Sequence, residues 1–193
     1  PAIRMLSQQY GFKIIEDASH AIGAHYSITS KSSLGLTRSN EAVMQKSTQI
    51  KVGSCTHSDI TVFSFHPVKV ITTSEGGMAM TNDIGLANYM CRLRTHGTTN
   101  DLRLMHQRSS NEIWNYQQIE LGFNYRMTDI EAALGLSQIK RLDEFVEIRH
   151  KISKKYDLEL KSLPITTPFQ STGNHSSYHL YPILVKNDSN SKI

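Results

Sequence analysis

The sequence has 193 residues, of which 38% are hydrophobic and 20% charged, and its net charge at pH 7 is +4. This balance is typical of a soluble globular protein with one sizeable core, and it excludes an intrinsically disordered chain. No apolar run approaches the roughly 18 to 20 residues that span a bilayer, and no signal peptide is visible. Two cysteines, Cys55 and Cys91, have neither metal-ligand spacing nor the density of a disulfide scaffold. We therefore expect a cytoplasmic protein with no membrane partner and no bound metal.

The first ten residues have the pattern of an amphipathic helix. Ile3, Leu6 and Tyr10 fall on one face, and Gly11 ends the pattern. Position 1 is Pro, and no capping residue precedes the helix. We therefore expect that sequence upstream of residue 1 is missing.

Three short segments have the composition of β-strands. The first covers 12–17, where the adjacent Ile14 and Ile15 are typical of a parallel strand covered on both faces. The second and third are predicted over 60–65 and 77–81, with a loop between them.

A helix is predicted after the third strand. Leu86, Met90 and Leu93 recur at helical spacing, Asn82 can cap the start, and Gly97 closes the end. The order of strands and helices predicts an α/β domain with a largely parallel sheet flanked by helices.

Residues 27–52 interrupt this alternation. They are rich in Ser, Thr and Lys and show weak periodicity. This composition predicts an exposed excursion or insertion between two strands.

A capping box opens the next segment, because Thr128 is followed three positions later by Glu131. An apolar stripe then predicts one long helix over 128–163. Its basic side chains have the spacing of a solvated helix face, so we expect no nucleic-acid partner. The densest group of these side chains is Lys151, Lys154 and Lys155.

The helical pattern ends at Pro164, and residues 178–185 are predicted to form a strand of the next domain. We therefore expect a large domain over 1–127, a connecting helix over 128–163, and the beginning of a smaller α+β domain over 164–193.

The segment between the second and third strands contains a candidate catalytic lysine. Lys69 lies between two apolar runs, with almost no neighbouring charge, and a glycine pair follows it. Desolvation of an ammonium group favours the neutral amine, which is the nucleophile that a Schiff base requires. On spacing alone, an ordinary surface lysine in a loop explains the pattern equally well.

A carboxylate follows the first predicted strand. Asp17 lies at the carboxyl end of that strand, where open α/β sheets bind ligands, although strand-end aspartates often only cap helices. Lys69 follows a neighbouring strand and can face the same crevice. Pyridoxal 5′-phosphate uses this pair directly, since a lysine binds its aldehyde and an aspartate keeps its pyridine nitrogen protonated. Ser64, five residues before Lys69, is spaced to reach the phosphate.

Three successive motifs resemble those of the DegT/DnrJ/EryC1/StrS family of nucleotide-sugar aminotransferases. They are IIEDASHAIGA at 14–24, SDITVFSFHPVKVITTSEGG at 58–77, and LGFNYRMTDIEAALG at 121–135. The resemblance covers nearly the whole chain and implies the type I fold of pyridoxal phosphate-dependent transferases, as in aspartate aminotransferase. Residues 27–47 are longer than the short hairpin typical of the family.

The resemblance also implies a role for each matching residue. Lys69 binds the cofactor aldehyde and moves the proton, Asp17 pairs with the ring nitrogen, and His20 lies beside the ring. Ser64 binds the phosphate, and Asn124 reaches the phosphate from a second subunit, which implies a homodimer with shared active sites. Further residues are expected near the phosphate or the nucleotide sugar, although edge-strand or surface roles are equally plausible for them: Arg126, His179 and Tyr181.

The implied reaction is a ping-pong transamination from L-glutamate to the 4-keto group of a UDP-linked 6-deoxy-hexulose. Within the family, residues 59–69 are most similar to the transaminases of pseudaminic acid biosynthesis. Sugar 3-dehydratases of the family carry His at the lysine position, whereas this chain has Lys69.

Three alternatives remain open at this point. The chain can be a truncated relative that holds the cofactor without transamination, or an aminotransferase for another nucleotide 4-keto or 3-keto sugar. A nicotinamide-dependent enzyme is the weakest, because no Gly-x-Gly-x-x-Gly follows any predicted strand.

Overall fold

The structure is a computed structural model that describes residues 1–29, 47–106 and 111–186. Its elements in chain order are α1 (Ala2–Tyr10), β1 (Ile15–Asp17), β2 (His25–Thr29), β3 (Ser47–Lys51), β4 (Ile60–Ser64), β5 (Gly77–Met80), α2 (Ile84–Leu93), β6 (Thr98–Thr99), β7 (Gln117–Gln118), α3 (Asp129–Ile139), α4 (Leu142–Glu159), β8 (Ile165–Thr166), β9 (Asn174–His175) and β10 (Leu184–Val185).

The central sheet has the strand order β1-β4-β5. β1 runs parallel to β4, in agreement with the predicted parallel strand, and Asp17 lies opposite Val62. β5 runs antiparallel to β4. The reason is the loop 65–76, which contains no crossover helix and returns the chain directly, so that the Phe65 amide donates to the Gly76 carbonyl at 2.8 Å. The parallel part of the sheet is therefore the β1–β4 pair.

A second sheet has the order β3-β2-β9, and both of its pairs are antiparallel. The two ends of the predicted excursion are thus a strand pair rather than irregular chain. β9 brings the C-terminal part of the chain back onto this pair. Residues 30–46, the middle of the predicted excursion, lie outside the described residues.

The helix ends follow local side-chain chemistry. Gly11 ends α1 with φ 76°, as predicted, and the Thr128–Glu131 capping box opens α3. The predicted cap of α2 is wrong by one residue. Asp83 accepts the amides of Gly85 and Leu86, whereas the Asn82 side chain donates to the Ser54 carbonyl.

The predicted helix over 128–163 is two helices, because the chain breaks at Lys140 and Arg141 between α3 and α4. Arg141 forms an ion pair with Glu144 at 3.0 Å, in the first turn of α4, where a carboxylate favours a helix start. The break also directs Val146 into the core, where it is 5% exposed.

The core lies between the central sheet and α4. Gly23 is required at this contact, since a Cβ there would lie 2.8 Å from a Val146 methyl group, and its φ is 82°. The buried core residues are Ala18, Ile22, Phe63, Phe65, Val70, Ile71 and Val146. The two-sided cover expected for the first strand is not present among the described residues, where Ile15 is 69% exposed.

The strand predicted over 178–185 is shorter in the structure. Only Leu184–Val185 forms a strand, and it pairs with β8. Tyr178 has φ 46°, which interrupts extended structure. Across the described ranges, none of the helices combines the length and the apolar character that a membrane span requires.

Candidate functional site

Asp17 lies at the carboxyl end of β1, where the chain turns toward Ala18. Its Oδ1 accepts hydrogen bonds from the Ser19 amide at 3.0 Å and the Ser19 hydroxyl at 2.6 Å. These bonds lower the pKa of Asp17, and the positive charges of His20 and Lys69 lower it further. The site therefore presents an exposed, ionised carboxylate close to the side chains of His20 and Lys69.

The lysine loop is held by hydrogen bonds at its two ends. The Phe65 carbonyl accepts both the Thr73 amide and the Thr72 hydroxyl at 3.0 Å. The Thr73 hydroxyl, which is almost fully buried, donates to the Glu75 carbonyl at 2.5 Å. These bonds fix the main chain on either side of Lys69, whose side chain is half-buried.

His20 and His179 form the other wall of the site. Their ring centroids are 4.5 Å apart, with a 52° angle between the planes. Burial lowers the pKa of His179, as do the nearby positive charges of His20, Lys69 and Arg149. Nδ1 of His179 is buried without a hydrogen-bond partner among the described residues. The structure thus brings His179, from the C-terminal part of the chain, to the residues that follow β1 and β4.

Ser64 is the last residue of β4 and lies opposite Gly77 of β5. Its hydroxyl is half-buried and accepts the His66 amide at 3.4 Å. Because β1 and β4 are parallel, Ser64 and Asp17 lie at the same edge of the sheet.

Three predicted site residues lie elsewhere. Asn124 is exposed and pairs with Thr95 in an isolated antiparallel bridge. Arg126 is exposed beside the groove at Gly76. Tyr181 donates its hydroxyl to Asp157 of α4, and burial together with this bond raises its pKa to about 12. Within the described residues, these contacts direct Tyr181 toward α4.

Three residues that support the site escaped the sequence analysis. Ser19 has a signal in the sequence, since a Ser two positions after an Asp often closes such a turn. Ser177 donates to the His20 carbonyl at 3.2 Å, and Arg149 donates to the carbonyls of Tyr178 and His179. Neither of these has a local signal, because each acts on a distant part of the chain.

The residues present fit pyridoxal phosphate. The cofactor needs a carboxylate for its ring nitrogen, an amine for its aldehyde, and hydrogen-bond donors for its phosphate. Asp17, Lys69 and Ser64 supply these groups at one edge of the sheet. The unpaired Nδ1 of His179 is a further polar atom available to a ligand.

The sequence model of the DegT/DnrJ/EryC1/StrS aminotransferase family matches residues 1–193. Among curated proteins, the chain is 36% identical over 184 residues to the UDP-4-amino-4,6-dideoxy-N-acetyl-beta-L-altrosamine transaminase of Campylobacter jejuni subsp. jejuni. The aligned region covers 95% of the chain and 40% of the relative. It is 34% identical to the GDP-perosamine synthase of Caulobacter vibrioides, over 88% of the chain and 37% of the relative. The chain thus spans about two fifths of the length of these relatives.

Solved structures share the fold. The aminotransferase PseC of Helicobacter pylori, described as acting in the biosynthesis of pseudoaminic acid, superposes with a TM-score of 0.72 at 30% identity, over 96% of this chain and 41% of that one. The putative sugar aminotransferase Spr1654 of Streptococcus pneumoniae, in its PLP form, gives a TM-score of 0.67 at 26% identity, over 94% and 39%. The fold is therefore the α/β fold of pyridoxal phosphate-dependent sugar aminotransferases, fold type I.

Proposed function

We propose, since the chain belongs to the DegT/DnrJ/EryC1/StrS aminotransferase family, that it is part of a pyridoxal phosphate-dependent enzyme that transfers an amino group to a nucleotide-linked sugar. The observation that carries this proposal is the placement of Asp17, His20 and Lys69. Ser19 keeps the pKa of Asp17 low, and the charges of His20 and Lys69 act on the same carboxylate. An ionised carboxylate and an amine in one another's field are what this cofactor requires.

Each residue has a defined task in this proposal. When bound, pyridoxal phosphate supplies an aldehyde that carries the amino group and a protonated ring that withdraws electrons. Asp17 keeps the proton on the ring nitrogen, and Ser64 donates its hydroxyl to the phosphate. The amine of Lys69 would hold the aldehyde group of the cofactor and would serve as the base that moves the proton of the amino donor. His20 lies beside the ring.

L-glutamate is the proposed amino donor, and the proposed acceptor is the 4-keto group of a UDP-linked 6-deoxy-hexulose of the pseudaminic acid type. The similarity of residues 59–69 to such transaminases and the names of the Campylobacter and Helicobacter relatives support this acceptor. The Caulobacter relative, whose name refers to a GDP-linked sugar, supports a different one. Amination assays with UDP-linked and GDP-linked 4-keto sugars distinguish the two.

A second copy of the chain is part of the proposal. The side chains around Asn124 are apolar and exposed, with Leu121 at 91%, Tyr125 at 74% and Phe123 at 54%. Another subunit that covers this surface would receive Asn124 at its own cofactor phosphate.

We also place the reaction in the cytoplasm, because Cys55 and Cys91 are both free thiols.

The test is the visible absorbance of the protein mixed with pyridoxal phosphate. The proposal predicts a band from the lysine-bound cofactor that disappears when L-glutamate is added. Lys69→Ala must lose the band, whereas Lys155→Ala, which removes an exposed lysine of α4, must keep it. A band that survives in Lys69→Ala contradicts the assignment. A band that glutamate leaves unchanged favours a protein that binds the cofactor without transamination.

A further inference from the structure

Arg149 lies on α4 and binds main chain instead of a carboxylate. Its Nη1 donates to the carbonyl oxygens of Tyr178 at 3.0 Å and His179 at 3.2 Å. Within the described ranges, no acidic side chain forms an ion pair with this half-buried guanidinium. Two bonds from one planar group to consecutive carbonyls fix the direction of the chain at this point.

The main chain that Arg149 binds has an unfavourable backbone conformation. Tyr178 has φ 46°, in the left-handed region that residues other than Gly seldom occupy. Two neighbouring contacts also stabilise this segment of the main chain. The hydroxyl of Ser177, which is 1% exposed, donates to the His20 carbonyl, and His150 Nε2 lies 2.8 Å from the Ser176 carbonyl oxygen. The segment 176–179 is thus attached both to α4 and to the loop after β1.

The consequence of this attachment is the position of His179. Its ring lies against His20, and its Nδ1 has no hydrogen-bond partner among the described residues. Burial, and then the charges of His20, Lys69 and Arg149, lower the pKa of His179, so the imidazole is neutral near pH 7. A neutral imidazole can donate to a keto oxygen or accept from a hydroxyl group, and both occur on a 4-keto sugar.

We infer that Arg149 is a positioning residue that holds His179 against His20 beside Lys69, where the imidazole receives the sugar. This inference rests on the function proposed above. Arg149 acts through the main chain of 178–179 and needs no contact with the cofactor.

The experiment follows the His179 imidazole by NMR, with its signal assigned by His179→Gln, in the Arg149→Lys and Arg149→Met variants. Lysine keeps the positive charge but presents one ammonium group in place of the planar guanidinium, so it separates position from charge. We expect the His179 signal and its titration midpoint to change in Arg149→Lys, with the midpoint moving up toward the ordinary histidine value, and to change further in Arg149→Met. We also expect kcat/KM for the sugar to fall about a hundredfold in Arg149→Met.

Two controls make the outcome specific. Arg141→Lys alters an exposed arginine that pairs with Glu144 on the same helix, and it must leave the His179 signal unchanged. Ser177→Ala removes the neighbouring tie to His20 and must move the signal in the same direction as Arg149→Lys. If His179 in the Arg149→Lys variant titrates as it does in the wild type, and the turnover of the variant is also unchanged, the inference is overturned.

Failure of the proposed function has a different signature. If the wild-type protein forms no lysine-bound cofactor band, the proposed function fails, while the NMR comparison still shows whether Arg149 positions His179. If the band forms in every variant and the signal of His179 does not respond to Arg149, only the positioning inference fails.

Discussion

His25 and His175 stack on each other, with their ring centroids 4.3 Å apart and their planes within 10° of parallel. They are direct partners in the β2–β9 register. His150 of α4 stacks on His175 as well, at 4.0 Å. Three imidazoles therefore join the second sheet to α4. Burial, and then the charges of His150 and His25, lower the pKa of His175.

The first prediction concerns the stability of this histidine stack toward acid. Because its pKa is lowered in the folded state, His175 takes up a proton in the unfolded chain first. Its contribution to the free energy of unfolding is present above the ordinary pKa of 6.5 and is lost as the pH falls from there toward the folded value. Urea unfolding should be measured above and below pH 6.5. The free energy of unfolding should fall less between these pH values in His175→Phe than in the wild type. His106→Phe, at an exposed site, should behave like the wild type, and an equal loss in His175→Phe contradicts the prediction.

The second prediction concerns the glycine pair after Lys69. A Cβ at Gly76 would lie 2.5 Å from the Thr73 hydroxyl and 2.6 Å from a Met127 methyl group, and its φ is 142°. Gly76→Ala should lower the free energy of unfolding by about 3 kcal/mol and weaken cofactor binding, since it distorts the lysine loop. Gly11→Ala meets no atom within 4 Å, so backbone strain alone should cost about 1 kcal/mol. Denaturant titration of both variants measures the difference, and equal losses would argue against the close packing at Gly76.

The third prediction concerns the start of α3. Thr128 accepts the Glu131 amide, and Glu131 accepts the Thr128 amide in return. Thr128→Ala should lower the free energy of unfolding by about 1 kcal/mol, whereas Thr128→Ser keeps the hydroxyl and should lose much less. Thermal unfolding of the two variants tests this, and similar losses would mean that the cap contributes little.

The sequence predicted best those elements whose cause is local. Gly11 and the Thr128–Glu131 pair determine their helix ends through groups within a few residues, and both predictions are confirmed. The adjacent Ile14 and Ile15 predicted a parallel strand, and the parallel pairing of β1 with β4 confirms this direction. Asp83, one position beyond the predicted cap, shows how two adjacent side chains with similar chemistry defeat a sequence pattern.

Contacts between distant residues could not be predicted in this way. Val146 packs beside Gly23, which is more than 120 positions away in the sequence, and the predicted strand over 178–185 begins at Tyr178, whose φ of 46° is not that of a strand. At the site, Asp17 and Lys69 could be predicted from the sequence, because one lies at a strand end and the other between two apolar runs. Arg149 and Ser177 could not be predicted in this way, since their hydrogen-bond partners lie 29 and 157 positions away in the sequence.

The fourth prediction concerns Ser19 and the acid limit of cofactor binding. The Ser19 hydroxyl is the largest cause of the low pKa of Asp17, which keeps the carboxylate ionised as the pH falls. In Ser19→Ala the pKa of Asp17 should rise, so cofactor affinity should be lost at a higher pH than in the wild type. The dissociation constant for pyridoxal phosphate, measured across the acid range, tests this. Ser54→Ala, at an exposed hydroxyl bonded to Thr56, should leave the curve unchanged. A Ser19→Ala curve that matches the wild type would remove Ser19 from the account.

The most direct test of the account is to find the residue that binds the cofactor aldehyde. Reduction of the protein with borohydride in the presence of pyridoxal phosphate fixes the cofactor on its lysine, and mass spectrometry of the peptides locates it. We predict one labelled site, Lys69, and no label after L-glutamate has been added before reduction. A label on another lysine, or an unlabelled Lys69 peptide, would contradict the assignment of this chain as an aminotransferase.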